Sequence, residues 1–416
     1  MQLSNEQLAV VNANDKKIIV DAGSGSGKTH VLVERVKRLI STGSDPSKIV
    51  VITYTNMAAG ELISRLSDVK GADRCFIGTI HSYAYKLLQK VDATFEIFTE
   101  NHQTKFMKYL IEKYGYRCTF SDYEDLVKYE RLVASGRMSA NKIPEKFSDI
   151  SVYNELMNLL GRGTVYGAKE TVVTLCRDNN VLTFDDLIKH VTESGSIPKI
   201  DHLFVDEFQD VGYLEYNFLL RLNAQNYFVI GDDFQSIFAW DGGDVQIFLS
   251  LMNNKDWKQY ILSENYRTAK SILSYATSIV KKANDIIDKP VTPMREEQGT
   301  LQFITKRTLS KEAKELSSGE WFFLVRTNKE MRAMCGELKK MGLNFNCVSH
   351  GEIIDSGGDS QDKNITVMTV HSSKGLECEN VALYGKFPVN GKGQSEEIKV
   401  FYVGLTRSIN KCVVFI

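Results

Sequence analysis

The nine residues Asp21-Ala-Gly-Ser-Gly-Ser-Gly-Lys-Thr29 constrain this chain more than any others. An apolar run, Ile18–Val20, leads into them. Behind them Val31, Leu32, Val36, Leu39 and Ile40 recur with the period of one helix face. A strand that turns through glycines into a helix start gathers backbone N–H groups and the positive end of the helix dipole around one point. That arrangement holds a phosphate. The pattern sends Lys28 to the β- and γ-phosphates of a nucleoside triphosphate and the Thr29 hydroxyl to its Mg²⁺. Ala22, Gly23, Ser24, Gly25, Ser26 and Gly27 form the cradle, with Ala22 where the strict pattern has glycine.

A second feature supplies the metal partner. Leu203-Phe-Val-Asp-Glu207 closes an apolar run with two adjacent acids. Carboxylates at the end of a buried strand need a cation or a donor to be tolerated. Asp206 is the candidate Mg²⁺ ligand, with Thr29, and Glu207 the candidate that orients and deprotonates an attacking water.

Short apolar runs at Ile18–Val20, Ile49–Thr53 and Leu203–Val205 alternate with helical patterns, and a second set follows at Trp321–Val325, Ile365–Thr369, Val381–Tyr384 and Cys412–Ile416. This texture predicts an α/β fold with two parallel sheets. The 416 residues are too many for one ordinary core, so two or three domains are expected. The stretch 91–180 is aromatic and charged without strong strand runs and is expected to be a helical insertion. Asp355–Lys363 and Asn390–Gln394 read as flexible connections. A net charge of −1 means that a polyanion partner must be held by a local basic groove. The seven cysteines are scattered without metal spacing, and neither a signal peptide nor a membrane span is evident. A soluble, cytoplasmic protein with reduced thiols is expected.

Further segments resemble, in order, those of the UvrD/Rep-like helicases of superfamily 1. Asn5-Glu-Gln7 is similar to the adenine-reading glutamine segment. Ile52-Thr-Tyr-Thr-Asn-Met-Ala-Ala59 and Gly78-Thr-Ile-His-Ser82 resemble the TFTNKAA and TFHS segments. Thr183-Phe-Asp-Asp-Leu187 resembles the DFDDL strand entry. Val205–Asp210, Gly231–Ile237, Glu264–Arg267, Thr369–Glu377 and Tyr402–Arg407 complete the set, with wording closest to the helicase IV-like branch. The resemblance implies two RecA-like P-loop domains, the first from 1–90 and 181–262 and the second from 263–416, with 91–180 as the insertion of the first. It also implies ATP and Mg²⁺ as cofactors and 3′-to-5′ movement on single-stranded DNA or a tailed duplex, with a monomer as the minimal unit.

Carried over residue by residue, the resemblance makes Arg267 and Arg407 the arginines that stabilise the transferring phosphoryl group, and Gln235 its sensor. Tyr266 stacks on the adenine, Glu377 meets the ribose or phosphate edge, Gln7 reads the base, and His30 stands where relatives often have arginine. Tyr54 and Trp240 become base-stacking platforms, and Thr53, Asn56, Thr79, His81, Ser82 and His371 polar contacts to the strand. Three departures stand out. Asp241 follows the tryptophan where many relatives have arginine, and Met57 replaces a lysine. Only about 45 residues separate Val325 from Val370, where larger relatives insert an accessory domain, so a compact form that translocates more readily than it unwinds is expected. A DNA-stimulated ATPase that regulates a partner nuclease or a repair or defence complex is the alternative. A P-loop kinase or GTPase has no use for Gln235, Arg407 and the His371–Glu377 segment.

Overall fold

The computed structural model describes residues 2–90, 95–97, 181–182, 184–194, 197–304, 319–349, 352–357 and 364–416. The expected helical insertion at 91–180 lies outside the described residues, apart from 95–97. In the first half the strands are β1 (Lys17–Ala22), β2 (Ile49–Thr53), β3 (Phe76–Thr79), β4 (Glu96–Ile97), β5 (Val181–Leu182), β6 (His202–Val205), β7 (Asn226–Gly231) and β8 (Lys258–Leu262). Six of them form one sheet in the order β3-β2-β6-β7-β1-β8, parallel throughout. The ends of β6, β7 and β1 therefore lie side by side, bringing Asp206, Asp232 and Ala22 to one edge. Ligands of open parallel sheets bind at such carboxyl ends, where the chain changes direction across the sheet.

Both faces of this sheet are covered, which is why its strands are apolar at nearly every position rather than at alternate ones. Ile18 and Val20 pack with Val31, Leu32 and Val36 of the helix Lys28–Ser41. Ile19 points the other way, into a cluster with Tyr83, Leu187 and Phe248. Of Thr183–Leu187, which resembles a strand entry, Thr183 lies outside the described residues and Phe184–Leu187 form the start of the helix Phe184–Ser194. Leu187, Ile188 and Val191 recur there at helical spacing and bury one stripe.

The second half contributes β9 (Glu264–Asn265), β10 (Thr292–Pro293), β11 (Thr300–Ile304), β12 (Trp321–Val325), β13 (Phe345–Ser349), β14 (Glu352–Gly357), β15 (Ile365–Thr369), β16 (Cys378–Tyr384) and β17 (Ser408–Phe415). Seven form a sheet in the order β11-β17-β16-β12-β15-β13-β14, with an antiparallel hairpin only at its β13–β14 edge. Asp355–Gly357, expected in a flexible connection, belongs to that hairpin, and Lys339 Nζ bonds both carboxylate oxygens of Asp355 at 2.8 Å. The two halves also share packing. Phe234 and Ile237, from the segment after β7, join the second half's core with Ala276, Val370 and Tyr402.

Candidate functional site

The loop after β1 is held open by two left-handed glycines, Gly25 at φ 69° and Gly27 at φ 82°. A side chain at either position is strained by that backbone and by space. A Cβ on Gly25 would lie 2.7 Å from Arg267 Cβ, and one on Gly27 2.8 Å from Gln7 Nε2. Gln7 is fixed by a capping box in which its own N–H donates to Ser4 Oγ while its Oε1 accepts from Ser4 N. Its Nε2 then donates to the Ser26 carbonyl at 3.0 Å. Lys28 Nζ donates to the Ala22 carbonyl at 3.1 Å, folded back across the mouth of the loop. Ser26 Oγ and His30 Nε2 are buried without a hydrogen-bond partner.

The second half reaches this loop through several side chains. Asn265 Nδ2 donates to the Ser24 carbonyl, and the N–H of Tyr266 to that of Gly25 at 2.9 Å. Arg407, wholly buried at the end of the helix Ser395–Thr406, is braced by the carbonyls of Val403 and Leu376. Its Nη2 donates to Ser24 Oγ at 3.2 Å and to Gln235 Oε1 at 2.8 Å. Burial, reinforced by Arg267, pulls the Arg407 guanidinium down to about 9, which leaves it charged at neutral pH. Arg267 pairs with Glu377 through Nε and approaches Ser24 Oγ with Nη1 at 3.5 Å. The Tyr266 hydroxyl donates to Glu264 at 2.9 Å.

Asp206 and Glu207 sit at the end of β6, where Glu207 adopts a left-handed φ of 51°. Asp206 Oδ1 accepts from the Glu207 N–H at 2.9 Å. Burial and the neighbouring Glu207 push the Asp206 carboxyl up to about 7. Burial opposes ionisation of Glu207 as well, but Lys374, Lys28 and the Gln209 amide outweigh it and hold this carboxyl below its ordinary range. Lys374 Nζ lies 3.4 Å from Glu207 Oε2, bonds Asp210, and donates to the Gln235 carbonyl at 2.9 Å. It lies within the Thr369–Glu377 segment noticed in the sequence, yet its role there was not legible.

A second buried ion cluster had no warning in the sequence. Lys289 Nζ, from the second half, meets Asp21, Asp232 Oδ1 at 2.8 Å and Asp233 Oδ1 at 2.6 Å. All four side chains are essentially inaccessible to solvent. Gln235 Nε2 donates to the other Asp232 oxygen. The ammonium thus joins the strand leading into the phosphate loop to the segment carrying Gln235. An acid pair at 232–233 was visible in the sequence; the lysine that answers it lies 56 positions from Asp233.

The residues expected to hold a nucleic-acid strand form an aromatic surface beside the carboxylates. Tyr54 stacks on Phe238 with ring centroids 5.0 Å apart. Phe238 and Trp240 each pack edgewise or tilted against the other and against His371. Tyr54 and Trp240 are 38% and 41% exposed, so large apolar rings face solvent here. Phe238 was not singled out in the sequence. His371 is pulled down to about 4, chiefly by burial, and is neutral. Thr79 caps the helix Ile80–Gln89, its Oγ1 accepting from the Ser82 N–H at 3.2 Å. Asn56 opens the helix Asn56–Leu66, exposed to solvent. Between this surface and Asp206 lies a cavity of about 350 Å³, bordered by Tyr54, His81 and Asp241.

The chain's own residues fit a magnesium-bound triphosphate. Gly25 and Gly27 leave no room for side chains, a lysine and two arginines reach the loop, and the Asp206–Glu207 pair stands at the end of β6 in the same sheet. Residues 3–256 match the UvrD/REP helicase N-terminal domain, and residues 352–414 the UvrD-like helicase C-terminal domain. A probable DNA helicase of Mycoplasma pneumoniae is 27% identical over 98% of this chain and 82% of its own length. The ATP-dependent DNA helicase PcrA of Bacillus subtilis is 27% identical over 85% of this chain and 51% of its own, and the ATP-dependent DNA helicase Rep of Buchnera aphidicola 25% identical over 76% and 48%. The chain spans about half the length of the PcrA and Rep relatives it matches. Among the described residues no helix is long and apolar enough to cross a membrane.

Proposed function

Because the chain belongs to the UvrD/Rep helicase family, we propose that it is an ATP-dependent DNA helicase that moves 3′ to 5′ along single-stranded DNA, driven by ATP hydrolysis between its two halves. The observation that carries this reading is the convergence on Ser24 and Gln235 of Arg407, from the far end of the chain. A site assembled from both halves changes when the halves move, so hydrolysis and motion are coupled.

In this reading the loop Ala22–Thr29 binds the phosphates, and Lys28 leaves the Ala22 carbonyl to meet them. Thr29 and Asp206 would hold Mg²⁺, which would supply positive charge for the phosphoryl oxygens. Glu207, kept ionised by Lys374, accepts the proton of the attacking water. Gln235 orients that water, and Arg267 and Arg407 stabilise the charge that spreads over the transferred group. Gln7 and Tyr266 lie where an adenine would rest, with His30 beside them and Glu377 at the ribose edge. Tyr54 and Trp240 stack bases, and Asn56, Thr79, His81 and His371 contact the strand.

The ATPase rate with and without single-stranded DNA, beside Lys28→Ala, tests the reading. Strong stimulation that Lys28→Ala abolishes supports it; hydrolysis indifferent to DNA sinks it. Strand displacement on tailed duplexes tests direction, with product expected only from a 3′ tail. A DNA-stimulated ATPase that does not separate strands and serves a repair or nuclease partner is the second reading. Asp241, in place of the usual arginine between nucleotide and DNA, favours it. Stimulation without displaced product is its signature.

A further inference from the structure

Gln235 is buried and held from both sides. Its Oε1 accepts from Arg407 Nη2 at 2.8 Å, and its Nε2 donates to Asp232 Oδ2. A guanidinium offers only donors and an ionised carboxylate only acceptors, so the amide between them has a single orientation. That orientation depends on Asp232 staying ionised. A protonated Asp232 could itself donate to Oε1, and the amide, turned over, would face its NH2 toward Arg407. Burial opposes ionisation of Asp232, but Lys289 and Lys28, together with the Gln235 amide, outweigh it and hold this carboxyl below its ordinary range.

Lys289 is built into its place. The ammonium has three donors and meets three carboxylates, those of Asp21, Asp232 and Asp233. Its Nζ lies 4.2 Å from the centroid of the Phe234 ring, against which Tyr402 packs edgewise. The Ile287 N–H, close by in the same segment, donates to Asp233. On Asp232, Oδ1 accepts from Lys289 at 2.8 Å and from the Phe234 N–H at 3.2 Å, which leaves Oδ2 to Gln235. We propose that Lys289 is a positioning residue for hydrolysis: by fixing Asp232 it decides which way the Gln235 amide faces, and so whether Arg407 finds its acceptor beside the phosphate loop. The inference rests on the ATP-hydrolysis reading above. Both cations come from the second half of the chain, so the glutamine is oriented from both ends only while the halves are together.

Asp232→Asn isolates this relay with little change of volume. The asparagine oxygen is expected to stay where two donors converge, which turns its NH2 toward Gln235 and forces that amide over. Three measurements on the folded variants, checked by thermal melts, test the proposal. They are ATP turnover with single-stranded DNA, affinity for a fluorescent ATP analogue, and the side-chain amide resonance of Gln235. The last is recorded without nucleotide in protein carrying isotope-labelled glutamine, and is identified by its loss in Gln235→Ala. In Asp232→Asn and in Lys289→Met the turnover number is expected to fall on the order of a hundredfold. Affinity for the analogue is expected to stay within about threefold of the parent, and the resonance to move. In a Gln235→Ala background, Asp232→Asn is expected to cost little more, because the relay ends at the missing amide. Undiminished turnover, an unmoved resonance, or losses that add fully in that background overturn the proposal. Should Lys289→Met fail to fold, Asp232→Asn decides by itself. A parent protein that does not hydrolyse ATP sinks the hydrolysis reading and this inference with it; an active parent beside unaffected variants counts against this inference alone.

Discussion

Arg407 Nη2 donates to Gln235 Oε1 at 2.8 Å, joining side chains 172 positions apart across the boundary between the two sheets. The same nitrogen reaches Ser24 Oγ of the phosphate loop. One guanidinium therefore registers the loop, the glutamine after β7 and the end of the helix Ser395–Thr406 together. Its planar fork is braced by two carbonyls, so its direction is set before any ligand arrives.

From that bracing follows the first prediction. Arg407→Lys retains charge but cannot keep the carbonyl braces and reach Gln235 at once. The turnover number of ATP hydrolysis is expected to fall on the order of a thousandfold, with a smaller change in KM. Steady-state kinetics with a thermal melt of the variant measures this; a turnover within tenfold of the parent would remove Arg407 from the chemistry.

Lys289→Met leaves Asp21, Asp232 and Asp233 together in the interior without their shared counter-charge. Breaking a buried ion cluster by removing one partner costs about 3–5 kcal/mol, and urea unfolding should show a loss of that size. Adding Asp232→Asn removes an ionised carboxylate from the cluster, so the double variant is expected to be more stable than Lys289→Met alone. Strictly additive effects would argue against direct contact.

The cluster also carries a pH signature. Burial pushes the Asp21 carboxyl up to about 8; Lys289 pulls against this while Asp233 and Asp232 add to it. Its ordinary value is 3.8, so between 3.8 and about 8 the folded protein holds a proton that the unfolded chain releases. The contribution to stability is full below that window and is lost as pH rises through it. Asp21→Asn cannot titrate and is expected to flatten the dependence. Urea midpoints near the two ends of the window, for parent and variant, decide it.

Tyr54→Ala and Trp240→Ala each remove an exposed ring from the surface proposed to stack bases. Each is expected to weaken binding of single-stranded DNA by about 1–3 kcal/mol. Because a ring releases no counterions, the slope of affinity against salt should stay that of the parent. A changed slope would place these residues near phosphates instead.

Much of the local architecture was legible in the sequence. Ile49–Thr53, Trp321–Val325 and Ile365–Thr369 are strands with the bounds read from their apolar runs, since strands buried on both faces are apolar at every position. The phosphate loop was legible for a related reason: glycines, lysine and threonine act through backbone and near neighbours. Weaker strands such as Lys258–Leu262, with its exposed and half-buried positions, and Thr300–Ile304 escaped notice because their pairing partners, rather than their composition, make them strands. Thr183–Leu187 was read as a strand entry from its resemblance to a family segment, and a five-residue match carries no periodicity that separates helix from strand.

Sequence alone singled out the residues proposed to bear phosphate chemistry, and it ordered them along the chain. Only the tertiary structure decided which of them meet. Lys289 answers Asp21 from 268 positions away, and Lys374 answers Asp210 from 164. The physical reason is that charge partners are chosen by distance through space and by exclusion of water. Both arise only when the two sheets pack around Phe234 and Ile237, and no local pattern encodes either.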